Sequence, residues 1–383
     1  MPRRFRIHRI NQMERGGPMR KGKDKGWLLV GGCAAAAGAL LLCSALVGEG
    51  IRRGLAICAS VMIPSLYPFL ILSDFVARTR VGRLLEGPFG GLAERVYRCP
   101  RQLAPAILMS WIGGYPAGAR VLSGMVRRGS LSQRDADTAL TFCVNSGPAF
   151  MAAVVGAGVF RSVGWGLFLY GCQLAAGLLA GRILSRRRAI RMRPAGGEKY
   201  QSPVEGFVGA VSSATAGMLS ICAFVLVFSA VCRLLEGWGV LGLWSEWASG
   251  LSGGALTPDG AACLGVGLLE IGGGCARAQA LAPGQGALVL PFLLSFSSLS
   301  VICQVAACFG DPPADFGLLL RGRLLHGAFT ALLASPVLWR RFASVPAMAV
   351  GRPVLAPGSG TLLGILCLLC VCAILCSTAA GDR

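Results

Sequence analysis

The chain has 383 residues, of which 54% are hydrophobic and only 14% are charged. A soluble globular protein carries roughly 25% charged residues to cover its surface, so this composition excludes that class and indicates a polytopic membrane protein. The net charge of +20 does not indicate a nucleic-acid partner, because the basic residues lie between apolar runs and are not interleaved with exposed aromatic residues.

The N-terminal part of the chain combines a basic segment with an apolar one. Residues 1–26 contain nine Lys and Arg residues and are predicted to form a cytoplasmic tail. The apolar run 27–48 that follows is longer than the ~7–15-residue core of a secretory signal, and no clear cleavage site comes after it. We therefore predict a retained first transmembrane span over 27–48.

Nine further apolar runs follow, and none of the polar gaps between them is long enough to form a soluble domain. The stretch 232–259 carries three tryptophans and is predicted to lie at the membrane interface, where Trp is enriched. The last run predicts a C-terminal transmembrane span. The runs are 54–76, 103–126, 139–160, 162–184, 207–231, 260–282, 287–309, 317–339 and 361–379.

Two of these runs are interrupted in the middle and are predicted to be re-entrant helical hairpins. Neither half of 103–126 or of 260–282 is long enough to span about 30 Å of hydrocarbon as a helix. Glycine and proline also free backbone groups that lipid cannot satisfy, so the tips must be buried in protein. The interrupting residues are Gly113, Gly114, Tyr115, Pro116 and Gly118 in the first run and Gly272, Gly273 and Gly274 in the second.

An internal repeat relates the two halves of the chain. The string RLLEG at 83–87 recurs at 233–237. The string ILMSWIGGYPAGAR, which ends at Arg120, aligns without a gap on LGVGLLEIGGGCAR, which ends at Arg277. Separate matches at nearly one spacing are typical of a structural repeat.

A third match lies downstream, where Asn145 and Ser146 correspond to Ser297 and Ser298. Each unit contains one hairpin and three spans. Because three crossings is an odd number, the second unit must lie inverted relative to the first, as in secondary transporters. The predicted fold is therefore an all-α polytopic membrane protein with an inverted repeat and one extra span at each end. The units cover 54–185 and 207–340 and are joined by a basic cytoplasmic linker over 186–206.

The distribution of basic residues supports this topology. With the N-terminus in the cytoplasm, 29 of the 37 Lys and Arg residues lie on the cytoplasmic side and 8 on the other side. This asymmetry agrees with the positive-inside rule, so the N-terminus is predicted to be cytoplasmic.

Substrate-binding residues are predicted at the hairpin tips and at the polar breaks. At the first tip, the missing Cβ atoms let a ligand approach the backbone, and the second arm begins with free N–H groups that suit an anion; a tight turn without a ligand is the alternative. At the first break, freed carbonyls and the Asn145 amide suit a substrate or an ion, whereas a kinked helix capped by Asn145 is the alternative. The predicted residues are Gly113, Gly114, Tyr115, Pro116, Gly118, Asn145, Ser146, Gly147, Glu270, Gly272, Gly273, Ser297, Ser298 and Gln304.

Glu270 stands at the second tip, where an ionised carboxylate in hydrocarbon is costly and therefore faces a cavity or a partner. We predict that it couples transport to protons or cations, binds a substrate hydroxyl or amine, or forms a structural salt bridge with Arg277 or Arg323. A dianionic ligand would need a fixed cation, because one helix dipole supplies about half a charge. His326 is interpreted as a packing residue or a proton relay. The predicted charge partners are Arg120, Arg277, Arg323 and His326.

The sequence offers no complete catalytic motif. It contains no HExxH and no Walker A motif, and its two histidines are His8 and His326. Most of the 16 cysteines lie in apolar runs, and the CxxC at Cys367 and Cys370 lacks a second pair or a nearby His. We therefore expect no enzyme, no metal and no cofactor, and leave open a coupling ion, H⁺ or Na⁺.

Several strings resemble one family. PSLYPFLILSDF, WIGGYPAGAR, FCVNSGPAFM and GLLEIGGG are similar to strings in sporulation integral membrane proteins of the YlbJ type, over about 50–340. These proteins carry paired nucleoside-recognition, or Gate, domains and resemble one half of concentrative nucleoside transporters. The chain departs from the pattern at Gln173, where the repeat match to His326 would place a histidine.

The resemblance implies two Gate-type units and a role in sporulation. The function it implies is a transporter or facilitator for a small anionic metabolite, with dipicolinic acid moved into the forespore. The alternatives are a nucleoside-type transporter and a non-transporting membrane scaffold needed for the spore envelope or cortex. The implied location is the cell membrane or the forespore outer membrane. The expected partners are a small-molecule substrate and the lipid bilayer, and homo-oligomerisation is left open.

Overall fold

The structure is a computed structural model that describes residues 40–344, except 188, 194–199 and 311–313, together with 33, 34, 37 and 38. The predicted basic tail 1–26, most of the first span 27–48 and the C-terminal span 361–379 lie outside the described residues. Part of the predicted linker 186–206 also lies outside them.

The described residues are mainly helical. An isolated bridge between Leu131 and Met192 is the one β-type pairing found in this part of the chain. The helices are α1 Ser44–Arg78, α2 Val81–Leu92, α3 Ala104–Ile112, α4 Tyr115–Arg127, α5 Gln133–Leu140, α6 Pro148–Ala157, α7 Val163–Arg187, α8 Pro203–Gly237, α9 Val240–Leu251, α10 Pro258–Leu269, α11 Ile271–Ala278, α12 Pro283–Phe296, α13 Ser298–Ala307 and α14 Phe316–Phe342.

Five segments are long and apolar enough to cross a membrane: α1, α7 up to Leu184, α8, α12 continued by α13, and α14. Large apolar side chains are exposed on them, including Val227 on α8 and Leu332 on α14, which is 71% exposed. An exposed apolar surface of this kind is favourable in contact with lipid and unfavourable in contact with water. The prediction of an all-helical, multi-pass integral membrane protein is confirmed at this level.

The first long helix differs from the prediction. The apolar runs 27–48 and 54–76 imply a break between them, but α1 continues through this region and through a π-helical turn at Cys58–Met62. The charged residues of the expected break are accommodated in the helix because Glu49 and Arg53 form an i,i+4 ion pair at 2.6 Å.

The run 139–160, predicted as one span, is divided. Helix α5 ends at Leu140, residues 141–147 are non-helical, and α6 begins at Pro148. Pro148 lacks an N–H group and restricts Gly147, which is extended at φ −79° and ψ 154°.

The run 287–309 is divided in a similar way, between α12 and α13. Ser297 and Ser298 form the junction with φ values of 83° and 70°. Two consecutive left-handed residues other than glycine are rare, because the conformation is strained for a residue with a Cβ.

The short helices pack into the interior between the long ones. Helix α1 packs along α8, and α14 packs against α12 and α7. The pair α3–α4 and the pair α10–α11 each pack helix against helix, and α4 also contacts α1 and α13. Residues 115–119 of α4 are all buried, so the loop joining α3 to α4 lies inside the protein.

Candidate functional site

The first tip, between α3 and α4, touches the non-helical segment 141–147. Gly114 has φ 82°, and a Cβ there would lie 2.9 Å from Leu66 Cδ2. A Cβ built on Gly147 would lie 3.4 Å from the Gly114 nitrogen, so the two backbones are adjacent. The tip requires glycine for its conformation as well as for its space.

The other two glycines of this tip are closely packed. A Cβ on Gly118 would lie 2.3 Å from the Cys143 carbonyl oxygen, and one on Gly113 would lie 2.5 Å from Ala117 Cβ. Neighbouring atoms fill the space that a Cβ would take at either position, which agrees with the packed-turn alternative for Gly113 and Gly118.

Glu270 joins α10 to α11 in an extended conformation and is 2% exposed. Its carboxylate accepts the N–H of Gly272 at 2.9 Å and the N–H of Gly273, and thereby caps the N-terminus of α11. The alternative of a salt bridge to Arg277 or Arg323 is wrong, because among the described residues both guanidinium groups bind other partners.

A small void of about 20 Å³ lies where the two tips meet. This volume holds about one water molecule, so the centre of the protein is closed. Tyr115 borders the void but donates its hydroxyl hydrogen to the Leu294 carbonyl at 2.8 Å, which ties the first tip to α12. The central void is lined by Met62, Leu66, Tyr115, Pro116, Gly147, Phe150, Val225, Glu270, Ile271, Val301 and Gln304.

A cavity of about 260 Å³, the Asp74 cavity, lies on one side of the central void. Arg120 Nε donates to Asp74 Oδ1 at 3.0 Å, and its Nη2 donates to the carbonyl and hydroxyl oxygens of Ser213 at 2.8 Å. Pro116 and Gln304 line both this cavity and the central void. The Asp74 cavity therefore reaches the closed centre.

A larger cavity of about 450 Å³, the Glu236 cavity, lies on the other side. Four of its charged lining residues belong to a cluster of ion pairs, which Glu49 joins from outside the lining. Glu236 binds Arg53 at 3.2 Å, Arg233 at 3.4 Å and also Arg277, while Glu49 binds Arg53 and Arg233.

Glu270 links the Glu236 cavity to the centre. It lines both that cavity and the central void, and Gly273 lines the cavity beside it. The two cavities and the void therefore form one series, in which residues of the two tips separate the cavities.

The positions along two helices place the cavities about one bilayer apart. On α1, Arg53 and Asp74 are 21 residues apart, which corresponds to about 32 Å of helix. On α8, Ser213 and Arg233 are 20 residues apart, or about 30 Å. This is the thickness of the hydrocarbon core.

The central void lies between these points on both helices. Leu66 on α1 and Val225 on α8 line the void. Each lies between the cavity-lining residues of its own helix. The void is therefore near the middle of the long axis.

Asn145 and Ser146 lie behind the void and do not line it. Asn145 Nδ2 donates to Ser110 Oγ and to the Phe142 carbonyl, both at 3.1 Å. Ser146 Oγ donates to the Gln173 side-chain oxygen. These bonds hold the non-helical segment in place.

His326 and Gln173 are in contact. His326 Nε2 lies 2.8 Å from the Gln173 carbonyl oxygen, so this nitrogen is the donor. Both side chains are fully buried. The contact agrees with a packing role for His326 and brings together the two positions that the repeat match pairs.

The second break is held by its own serines. Ser298 Oγ accepts the Val301 N–H at 3.3 Å and caps α13, and Ser297 Oγ donates to the Ser295 carbonyl. Gln304 donates to Ser300 Oγ and, unlike Ser297 and Ser298, lines the void. Gln304 is therefore the one residue among those predicted at this break that lines the central void.

Sequence reasoning missed several residues of the two cavities. Asp74, Arg53 and Glu236 were not among the predicted site residues. One signal was available: Arg233 and Glu236 are the charged residues of the repeated string RLLEG.

Comparisons with known proteins give the following similarities. No protein-family model matches the chain. Among solved structures, it is similar to a CNTnw variant in an outward-facing state, with a TM-score of 0.46, 14% identity and coverage of 85% of this chain and 86% of that one. It is also similar to CNTnw in an inward-facing substrate-bound state, with a TM-score of 0.44, 14% identity and coverage of 84% and 87%.

Among curated proteins, the chain is similar to the sporulation integral membrane protein YlbJ of Bacillus subtilis (strain 168). The two sequences are 25% identical, and the match covers 76% of this chain and 77% of that protein. The resemblance seen in the sequence strings is thereby confirmed: the chain is similar in sequence to a sporulation integral membrane protein of the YlbJ type.

Proposed function

We propose that the protein is a membrane transporter or facilitator for a small metabolite. The observation that carries the proposal is the series of Asp74 cavity, central void and Glu236 cavity across about 30 Å of the molecule. A closed centre between two cavities at opposite ends is the arrangement that alternating access requires. The substrate would bind where the two tips meet.

The charge of the cavities favours an anion. Arg120 and Arg127 face a single carboxylate, Asp74, in the first cavity. Three arginines face Glu236 and Glu270 in the second. The third arginine of the second cavity is balanced by Glu49, which pairs with Arg53 and Arg233. The excess cation therefore lies in the Asp74 cavity, where it raises the local concentration of an anionic solute.

Dipicolinic acid is the anion that the family resemblance suggests, and its movement into the forespore is the proposed physiological role. The sporulation function of the YlbJ relative supports this choice. The proposed location is the cell membrane or the forespore outer membrane, with the N-terminus in the cytoplasm.

The proposal includes two inverted units, each with a re-entrant hairpin. The divided helices support it, since α5 and α6 in the first unit match α12 and α13 in the second. In each unit an arginine of the second hairpin helix pairs with an acid of a long helix. These pairs are Arg120 with Asp74 and Arg277 with Glu236.

A nucleoside is the second candidate substrate. Glu270 favours it, because a carboxylate at the central void can accept a hydrogen bond from a ligand hydroxyl. The same carboxylate would repel an anion unless it were protonated. Binding of uridine in preference to dipicolinate would therefore identify the nucleoside class.

Flux in proteoliposomes tests transport against the scaffold alternative. Gly147→Leu would add a large side chain at a residue that lines the central void, has an ordinary φ and lies against the backbone of the first tip. Gly171→Leu is the matched control, because Gly171 is exposed on α7 and a Cβ there meets nothing within 4 Å.

We expect uptake of labelled dipicolinate by the wild-type protein and by Gly171→Leu, and none by Gly147→Leu at equal folded amount. No uptake of dipicolinate or uridine by the wild-type protein would favour the scaffold. Equal uptake by both variants would contradict a path through the void.

A further inference from the structure

Arg323, on α14, is the largest fully buried side chain of the described residues. A buried guanidinium group normally pairs with a carboxylate, because an uncompensated charge is costly in the interior. None of the ion pairs found among the described residues includes Arg323. Its charge must be stabilised in another way.

Backbone carbonyl groups supply that stabilisation. The Nη1 group donates to the Val144 carbonyl and, at 3.4 Å, to the Ser295 carbonyl, while Nη2 donates to the Thr141 carbonyl. Thr141 and Val144 follow the end of α5, and Ser295 lies in the last turn of α12. The guanidinium group therefore binds both of the divided helices at their C-terminal ends.

Such helix ends need a cation or a donor. The last carbonyl groups of a helix have no partner within the helix and form the negative end of its dipole. In secondary transporters with broken helices, these carbonyls commonly coordinate Na⁺. Here the fork of N–H groups on Arg323 occupies three carbonyl groups at two different breaks, one in the last turn of α12 and two just beyond the end of α5.

The backbone of α14 is fitted to this contact. A Cβ on Gly322 would lie 2.8 Å from Thr141 Cβ, so glycine allows α14 to approach the non-helical segment beside Arg323. One turn later, His326 binds the Gln173 carbonyl. Arg323 is thus held by a close helix contact on the side of the first break.

We propose that Arg323 is a built-in cation that joins the two breaks and makes the protein independent of Na⁺ at these helix ends. The part of the proposal that concerns stability stands on the contacts alone. The part that concerns flux rests on the proposed transport function.

The first test is the thermal unfolding midpoint of the purified wild-type protein in detergent, in NaCl, KCl and choline chloride at one ionic strength. We expect the same midpoint in the three salts, because the carbonyls already have a cation. A rise specific to Na⁺ would overturn the proposal.

The second test uses Arg323→Ala, with Arg321→Ala as the control. Arg321 is exposed on the same helix, so its removal should leave the midpoint unchanged. Arg323→Ala should lower it by roughly 5 °C or more, since several carbonyls lose their donor. Added guanidinium ion at low concentration should raise the unfolding midpoint of Arg323→Ala and leave that of Arg321→Ala unchanged.

If Arg323→Ala does not fold, Arg323→Lys and Arg323→Met decide the question. We expect more folded protein from Lys, which keeps the charge, than from Met, which has a similar length. Equal stability of these two variants would overturn the proposal, as would a wild-type-like midpoint for Arg323→Ala.

Flux completes the test and separates the two proposals. Wild-type proteoliposomes should take up dipicolinate equally with and without a Na⁺ gradient. Uptake that requires Na⁺ would overturn independence while leaving transport intact. Absence of any dipicolinate or uridine uptake would refute the transport function, and the salt and variant experiments would still decide the role of Arg323.

Discussion

Replacing Glu270 with glutamine removes a charge from the central void with almost no change in size. The carboxylate accepts two N–H groups, from Gly272 and Gly273. The amide oxygen of glutamine can replace one of these bonds, and the loss of the other and of the charge at the helix N-terminus costs about 1–2 kcal/mol. Glu270→Ala removes both acceptors from a buried turn and should cost about 2–4 kcal/mol.

Thermal unfolding of the two variants measures this difference. About 2–4 °C per kcal/mol is expected for a domain of some 200 residues, and the midpoints should fall in the order wild type, Glu270→Gln, Glu270→Ala. If Glu270→Ala were as stable as Glu270→Gln, the carboxylate would not cap α11 and the reasoning would be wrong.

Ligand binding by Glu270→Gln separates the two substrate classes. A hydroxyl group that donates to a buried carboxylate contributes about 1.5–3 kcal/mol, so uridine affinity should fall about 10- to 150-fold if the ligand is a nucleoside. If the ligand is dipicolinate, binding should be retained and its pH dependence should change, because the wild-type carboxylate must be neutralised before the anion binds.

Dipicolinate binding to both forms, from mildly acidic to mildly alkaline pH, measures this effect. Identical profiles would make Glu270 purely structural. A preference for uridine over the whole range would contradict the anion proposal.

Three further predictions concern the first hairpin and the first break. Cysteines introduced at positions 102 and 128, which flank the first hairpin, should be labelled from the same side of the membrane; labelling from opposite sides would exclude a re-entrant hairpin. Gly114→Val should abolish flux and also reduce the yield of folded protein, since Gly114 has φ 82° and a Cβ would lie 2.9 Å from Leu66. Asn145→Ala should abolish flux with a smaller loss of about 1–2 kcal/mol, measured by thermal unfolding, because two hydrogen bonds are lost. Normal flux by both variants at equal expression would contradict a transport path through the first tip and the first break.

The positions of the breaks could be predicted because local chemistry determines them. Pro148 cannot donate an N–H, and Gly114 adopts a φ that other residues avoid, so each ends a helix regardless of what packs around it. At residues 49–53, a break was predicted where the helix is continuous. There, charged residues indicated a break, but an ion pair along one helix and partners on α8 keep α1 continuous.

The partners of the charged residues could not be predicted, because they come from distant parts of the chain. Arg120 pairs with Asp74 and Arg277 with Glu236, and no spacing rule relates residues on different helices. The direction in which a side chain points could not be predicted from the sequence either. Asn145 was predicted from its place in a polar break, but its amide points towards Ser110. The substrate-binding roles of the predicted residues stay predictions.

The two buried charges near the centre are stabilised by helix ends, and to different degrees. Arg323 donates to three backbone carbonyl groups, one in the last turn of α12 and two just beyond the end of α5, so several oxygens share its charge. Glu270 caps the N-terminus of one helix, whose dipole offsets only about half of the negative charge of the carboxylate. Arg323 is therefore complete without a ligand, whereas Glu270, which also lines the central void, keeps a residual negative charge there. If the protein transports as proposed, a substrate at the void would supply a hydrogen-bond donor to Glu270 or arrive with a proton, and Glu270 would then be the residue that selects between a nucleoside and a carboxylate.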